Sequence, residues 1–86
     1  MNPRWREAAR DELADVWVAA TPADRVRLEA AVLFTEALLL KNPHKVGESR
    51  FGEFRVVYTP PLTFWFRVPP GSTIVTIEHV SRPRNS

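Results

Sequence analysis

Between Asn42 and Gly47 the hydrophobic rhythm of this chain changes, and no single element runs across the break. Upstream, apolar residues recur every three or four positions. Downstream, in GESRFGEFRVVYTPPLTFWFRV, they are aromatic or β-branched and fall in runs closed by proline. Pro43 enforces the boundary because it has no N–H to give to a helical ladder. A helical part followed by a sheet part is the expected plan. At 86 residues such a chain buries about 60 to 65% of its unfolded surface. With 44% hydrophobic residues, three tryptophans and five phenylalanines, it has the material for one core. The expectation is one α+β domain over 1–86, an N-terminal antiparallel helical hairpin packed on a three- to four-stranded antiparallel sheet.

The elements follow from local chemistry. Residues 4–19 predict a helix, since Ala9, Leu13, Val16, Trp17 and Ala20 share one stripe. Thr21, Pro22 and Asp24 then supply an N-cap, a first-turn proline and an acid for the next helix, expected to end near Lys41. Its stripe reads Val26, Ala30, Leu33, Phe34, Ala37 and Leu38, widened by Leu28, Val32 and Leu39. Residues 54–59, 62–68 and 73–81 predict three strands of a meander, and residues 2–5 leave room for a short edge strand. Alternation places Phe54, Val56 and Tyr58 inward, opposite Arg55 and Val57. It groups Leu62, Phe64, Phe66 and Val68 against Thr63, Trp65 and Arg67, and turns Val75 and Ile77 inward with His79. The tail SRPRNS is expected to fray.

Charge is distributed unevenly. Residues 1–42 carry six Lys or Arg against seven acids (−1), and residues 43–86 carry six against three (+3). The second half favours an anionic partner. No cysteine is present, so disulfides and thiol catalysis are excluded, and the usage suits a reducing cytoplasm. The opening MNPRWREAARDE has charges where a signal peptide needs an apolar stretch, and AAVLFTEALLL is short and carries Glu36. A cytoplasmic protein with no membrane partner is expected. Two histidines without cysteine give none of the usual ligand spacings, so neither a metal nor a cofactor is expected.

Two helices followed by a meander, with Pro43, Val46, Gly47 and Arg50 in NPHKVGESR, Gly52, Phe54, Arg55, Val56 and Tyr58 in GEFRVVY, and Val80 and Arg82 in EHVSRP, together resemble the RelE/ParE superfamily of toxins from type II toxin–antitoxin systems. The resemblance covers nearly the whole chain. It implies an antitoxin partner and, in the ribosome-dependent branch, an mRNA endonuclease whose arginines grip ribosome-bound mRNA. Arg55 and Arg82 fall on the family's catalytic arginines, and Arg50, Arg55, Arg82 and Arg84 become the RNA-binding candidates. The family's C-terminal tyrosine has no counterpart among Pro83, Arg84, Asn85 and Ser86. The ParE-like branch, which blocks DNA gyrase with a long helical hairpin, is the alternative the resemblance implies. A toxin-like domain that only binds a partner is a third.

RNA cleavage needs a base, an acid and cations for the developing phosphorane charge. Arginine suits the cationic role through its planar fork. On residue type alone Arg50, Arg55 and Arg82 read as surface arginines paired with Glu48, Glu53 or Glu78, and the family resemblance is what makes them site candidates. His79 is of a type suited to proton transfer near neutrality, or is a partly buried structural histidine. His44 reads as solvated. Glu53 reads as a base or as a turn carboxylate. Tyr58 and Trp65 are candidates for base stacking or for the core. Trp5, Trp17 and Leu28 serve packing, or, where left outside, an apolar groove for an amphipathic antitoxin helix.

Overall fold

The computed structural model describes residues 3–83. The elements run β1 (Arg4–Trp5), α1 (Glu7–Ala19), α2 (Pro22–Lys41), a 3-10 turn (Pro43–Lys45), β2 (Glu48–Ser49), β3 (Phe54–Thr59), β4 (Leu62–Arg67) and β5 (Thr76–Ser81). One sheet has the order β1-β5-β4-β3-β2. The neighbours are antiparallel except for β1, which runs parallel to β5. Both helices pack on the same face, α1 mainly over β5 and α2 over β3.

The five strands exceed the expected three or four because two-residue edges flank the meander. At one edge the Arg4 and Arg6 amides donate to the Val75 and Ile77 carbonyls at 2.8 and 3.0 Å, which holds this segment extended and delays α1 to Glu7. At the other edge β2 pairs with Arg55 and Val56 of β3. Gly47 precedes that pairing with φ +67°, and a Cβ there would lie 2.1 Å from the Val56 carbonyl oxygen. Glycine alone fits this approach.

The helix ends obey their sequence signals. Thr21 Oγ1 accepts from the Asp24 amide at 3.2 Å, with Pro22 in the first turn. Asn42 donates its amide to Leu38, after which Pro43 ends the ladder. The last turn of α1 has no basic residue of its own. Arg25 of α2 supplies the cation instead, donating from Nε to the Trp17 carbonyl at 3.0 Å with its guanidinium 5.5 Å from the Trp17 ring. The interhelical turn is thus fastened by one side chain.

Ala9, Leu28, Ala31, Leu39, Leu62, Phe64, Phe66, Val68, Val75, Ile77 and Val80 form the core. The stripe of α2 that faces it is Leu28, Ala31, Thr35 and Leu39, rotated from the expected one. Val26, Leu33 and Phe34 remain outside. A helix apolar on so many sides does not specify which side docks. Thr35 enters the core because its hydroxyl donates to Thr59 Oγ1 at 2.8 Å. Strand β3 is also reversed. Val57 packs on the core and Tyr58 is 58% exposed, because register sets Val57 opposite Phe64 and Tyr58 opposite Thr63. On β4 the expected alternation is the observed one, with Leu62, Phe64 and Phe66 buried.

Two substitutions test these assignments. Thr21→Ala should cost about 1 kcal/mol and lower the melting temperature by roughly 4–8 °C. Gly47→Ala should cost at least about 2 kcal/mol, since it adds left-handed strain to a backbone clash. Thermal melts followed by circular dichroism read both.

Candidate functional site on the open face of the sheet

The face turned away from the helices carries Phe54, Val56 and Tyr58 of β3, Thr63, Trp65 and Arg67 of β4, and Thr76 of β5. Simple alternation along β5 would then turn Glu78 outward and His79 inward. The ladder instead pairs Ile77 with Phe66 and His79 with Trp65, leaving Glu78 as an extra residue in a bulge. Beyond the bulge Val80 returns to the core, while His79 is turned outward with its side chain 55% exposed. This corrects the expectation of an inward His79. Its Nδ1 lies 3.4 Å from Glu12 Oε1, and the same oxygen accepts the Val80 amide at 3.1 Å. Glu12 thereby covers a stretch of β5 that the short β1 leaves open.

Glu78 is 4% exposed, yet it is a carboxylate on the uncovered side. Such a group must be paired. Arg6 Nη1 stands 2.8 Å from Oε1 and Arg67 Nε 3.6 Å from Oε2. Both guanidinium-bearing side chains keep substantial exposure, 62% and 46%. With Phe54 and Thr76 these three residues line an open depression of about 530 Å³. Beside it Phe51, 64% exposed, leans on Phe54 at 5.2 Å and on Trp65 at 6.4 Å between ring centroids. Exposed Tyr58 lies further along the same face. The arrangement offers two cations held by one buried anion next to an aromatic platform.

The arginines singled out in the sequence do not gather there. Arg55 shares the helix-side face of β3 with Val57, and its Nε and Nη2 donate to the Val46 and Gly47 carbonyls at 3.0 and 3.2 Å. It ties the loop before β2 to the sheet. Arg82 follows β5 and donates from Nη2 to Asp24 at 3.2 Å, at the start of α2. Arg55 is level with Phe66 and Ser81 with Thr63, three residues along β4, so Arg82, the residue after Ser81, lies about 13 Å further along the strand direction at 3.3 Å per residue. Arg50 is on the β2–β3 loop, 3.6 Å from Glu48. Arg84 and the end of the SRPRNS tail lie outside the described residues. The candidates that sequence reading missed are Arg6 and Arg67. Arg67 was legible as an outward strand residue. Arg6 was not, because it reaches Glu78 from 72 positions away.

His44 is exposed, with Nε2 2.9 Å from the Ser72 carbonyl. Glu53 lends its backbone carbonyl to the Val68 amide at 3.0 Å. Between the helices, Leu13, Trp17, Leu28, Glu29, Val32 and Leu33 line a second, largely apolar groove of about 240 Å³. No helix among the described residues is long and apolar enough to cross a membrane.

Two helices on one face of a mostly antiparallel sheet, with none of the described elements on the other face, define a known class of fold. A chain of the toxin–antitoxin complex RelBE2 from Mycobacterium tuberculosis superposes with a TM-score of 0.72 at 21% identity, covering 95% of this chain and 90% of its own. A chain of the chromosomal ParDE toxin–antitoxin system from P. aeruginosa superposes with a TM-score of 0.71 at 20% identity, covering 98% and 97%. The fold is that of the RelE/ParE toxins, as the sequence resemblance implies. No protein-family model matches the sequence, and no curated protein matches it either.

The tethering roles predict distinct outcomes. Arg55→Ala should cost about 1–2 kcal/mol by releasing two carbonyls from a charged donor, and should increase hydrogen exchange in residues 46–50. Arg82→Ala loses only a partly exposed pair, so about 0.5 kcal/mol is expected. Urea unfolding of the two variants measures the difference.

Proposed function

We propose that the chain is the toxin of a type II toxin–antitoxin system and acts as a ribosome-dependent mRNA endonuclease through the open face of its sheet. The observation that carries the reading is that face itself. It is uncovered by either helix, it interleaves Arg6 and Arg67 with Phe51, Phe54, Trp65 and Tyr58, and it stands on a fold shared with chains of RelBE2 and ParDE. Single-stranded RNA is held in this manner, by cations on its phosphates and aromatic rings on its bases. His79, oriented through Nδ1 by Glu12, leaves its other ring nitrogen for proton transfer on that side. The reading rests on these residues rather than on Arg55 and Arg82, which are occupied in holding the loop and α2. The cytoplasm, where ribosomes work, is the compartment it implies.

An antitoxin is the natural cover for the apolar groove between α1 and α2, for the exposed Val26 and Leu33 of α2, and for Phe34, exposed where α2 meets Thr59 and Pro60. An amphipathic helix fits such a groove by its anchors at three- and four-residue spacing.

A gyrase-blocking toxin is the second reading. It is favoured by the dispersal of Arg50, Arg55 and Arg82, which brings no phosphate grip together with a proton-transfer group, and by the length of α2, 20 residues.

Induced expression in a bacterium tests both. Translation arrest with new mRNA 5′ ends is the expected result. Growth arrest with intact mRNA and altered DNA supercoiling would transfer the function to gyrase. Normal growth would leave a binding domain. With the antitoxin encoded beside this chain, Leu33→Glu combined with Phe34→Glu should abolish rescue from arrest while leaving the arrest itself unchanged, as colony counts under co-expression would record.

A further inference from the structure

We infer that Arg6, Glu78 and Arg67 form a clamp for one phosphodiester of single-stranded RNA, and that Phe51, Phe54 and Trp65 receive the base next to it. This deepens the RNA reading of the open face and rests on it.

The argument begins with an imbalance. Glu78 is almost wholly buried, and both of its oxygens are committed, Oε1 to Arg6 and Oε2 to Arg67. The trio carries a net charge of +1, and its positive ends are the exposed ones. Arg6 spends Nη1 on the carboxylate and Arg67 faces it with Nε. Their remaining N–H groups have no other side-chain or backbone acceptor among the described residues. A guanidinium presents five donors in a fixed fork, which matches the paired oxygens of a phosphodiester. Glu78 sets the spacing of the two forks. In its place an apolar residue would leave two long side chains free to diverge.

The position of the trio fits this role. Arg6 enters from the chain that follows β1, Arg67 ends β4, and Glu78 occupies the bulge in β5, so three separate segments converge on the depression of about 530 Å³. Bulges re-aim side chains in this way beside functional sites. Phe54, the cross-strand partner of Arg67, bounds the depression on the β3 side, and Phe51 and Trp65 extend it. Phe51 remains mostly exposed although an apolar core lies on the other side of the sheet. A phosphate on the forks thus sits next to a ring platform, the pairing by which unstructured strands are held. A duplex keeps its bases stacked and offers no ring to that platform.

Equilibrium binding of a fluorescein-labelled eight-nucleotide RNA to the full chain, read by anisotropy across a salt series, tests the clamp. The variant is Arg6→Gln, Glu78→Gln and Arg67→Gln together, which leaves no carboxylate buried without a partner. Expected are a loss of at least about tenfold in affinity and a log–log salt slope shallower by about 0.7, the signature of one phosphate contact on a single strand. Phe51→Ala should weaken binding about tenfold with no change in slope. Arg27→Gln, on the helical side, should change neither. Equal binding by the triple variant and the wild type overturns the clamp, and so does an absence of RNA binding by the wild type. Should the triple variant fail to fold by circular dichroism, cross-linking of wild-type protein to 4-thiouridine RNA takes its place. Adducts at Phe51, Phe54 or Trp65 support the site, and adducts confined to other surfaces overturn it. Binding is read without growth arrest, so failure of the clamp is distinguished from failure of the toxin reading.

Discussion

A single extra residue in β5 sets the character of both faces of the sheet. Without the bulge at Glu78, strict alternation from Ile77 would turn His79 into the core and Val80 out of it. With it, Ile77 and Val80 both pack under the helices, and His79 joins Glu78 on the other side. The Glu78 carboxylate is too deep to be left alone, and it draws in Arg6 and Arg67. A local departure in backbone pairing thus determines core composition and sets His79 beside the Glu78 carboxylate that holds the segment after β1.

Much of the fold was legible in the sequence. Proline follows each strand of the β3–β5 meander, the Thr21-Pro22 start of α2 has an unambiguous capping chemistry, and β4 alternates large apolar residues with others. What was not legible has one physical cause, an excess of apolar choices. In α2 the positions of Leu33 and Phe34 are as apolar as those of Leu28 and Leu39, so periodicity alone does not identify the docked side. In β3, Val57 competes with Phe54, Val56 and Tyr58, and pairing with Phe64 settles the contest. The bulge leaves no local mark, since EHVS reads as a continuous strand.

The candidate site was less legible than the fold. Arginine was the residue type singled out, but a type does not reveal its neighbours. Arg55 meets two backbone carbonyls and Arg82 meets Asp24, partners that only the tertiary fold supplies. Arg67 was visible on the outward side of its strand. Its counterpart Arg6 lay within a predicted helix, and its role depends on the parallel pairing of β1 with β5. The aromatic platform was visible in part. Trp65 was correctly placed on the Arg67 side, whereas Tyr58 was assigned inward.

The strand order carries a consequence for the birth of the molecule. β5 is made after β4, yet it lies between β4 and β1, which precedes both in the chain. A chain still emerging from the ribosome can form its helical hairpin and the β3–β4 ribbon, but β1 has nothing to pair with and Arg6 has no carboxylate. Long-range pairing of this kind comes late, because the intervening chain must close before the contact is rewarded. Assembly of the charged, ring-lined surface is therefore deferred until β5 has been made, a delay written into the topology.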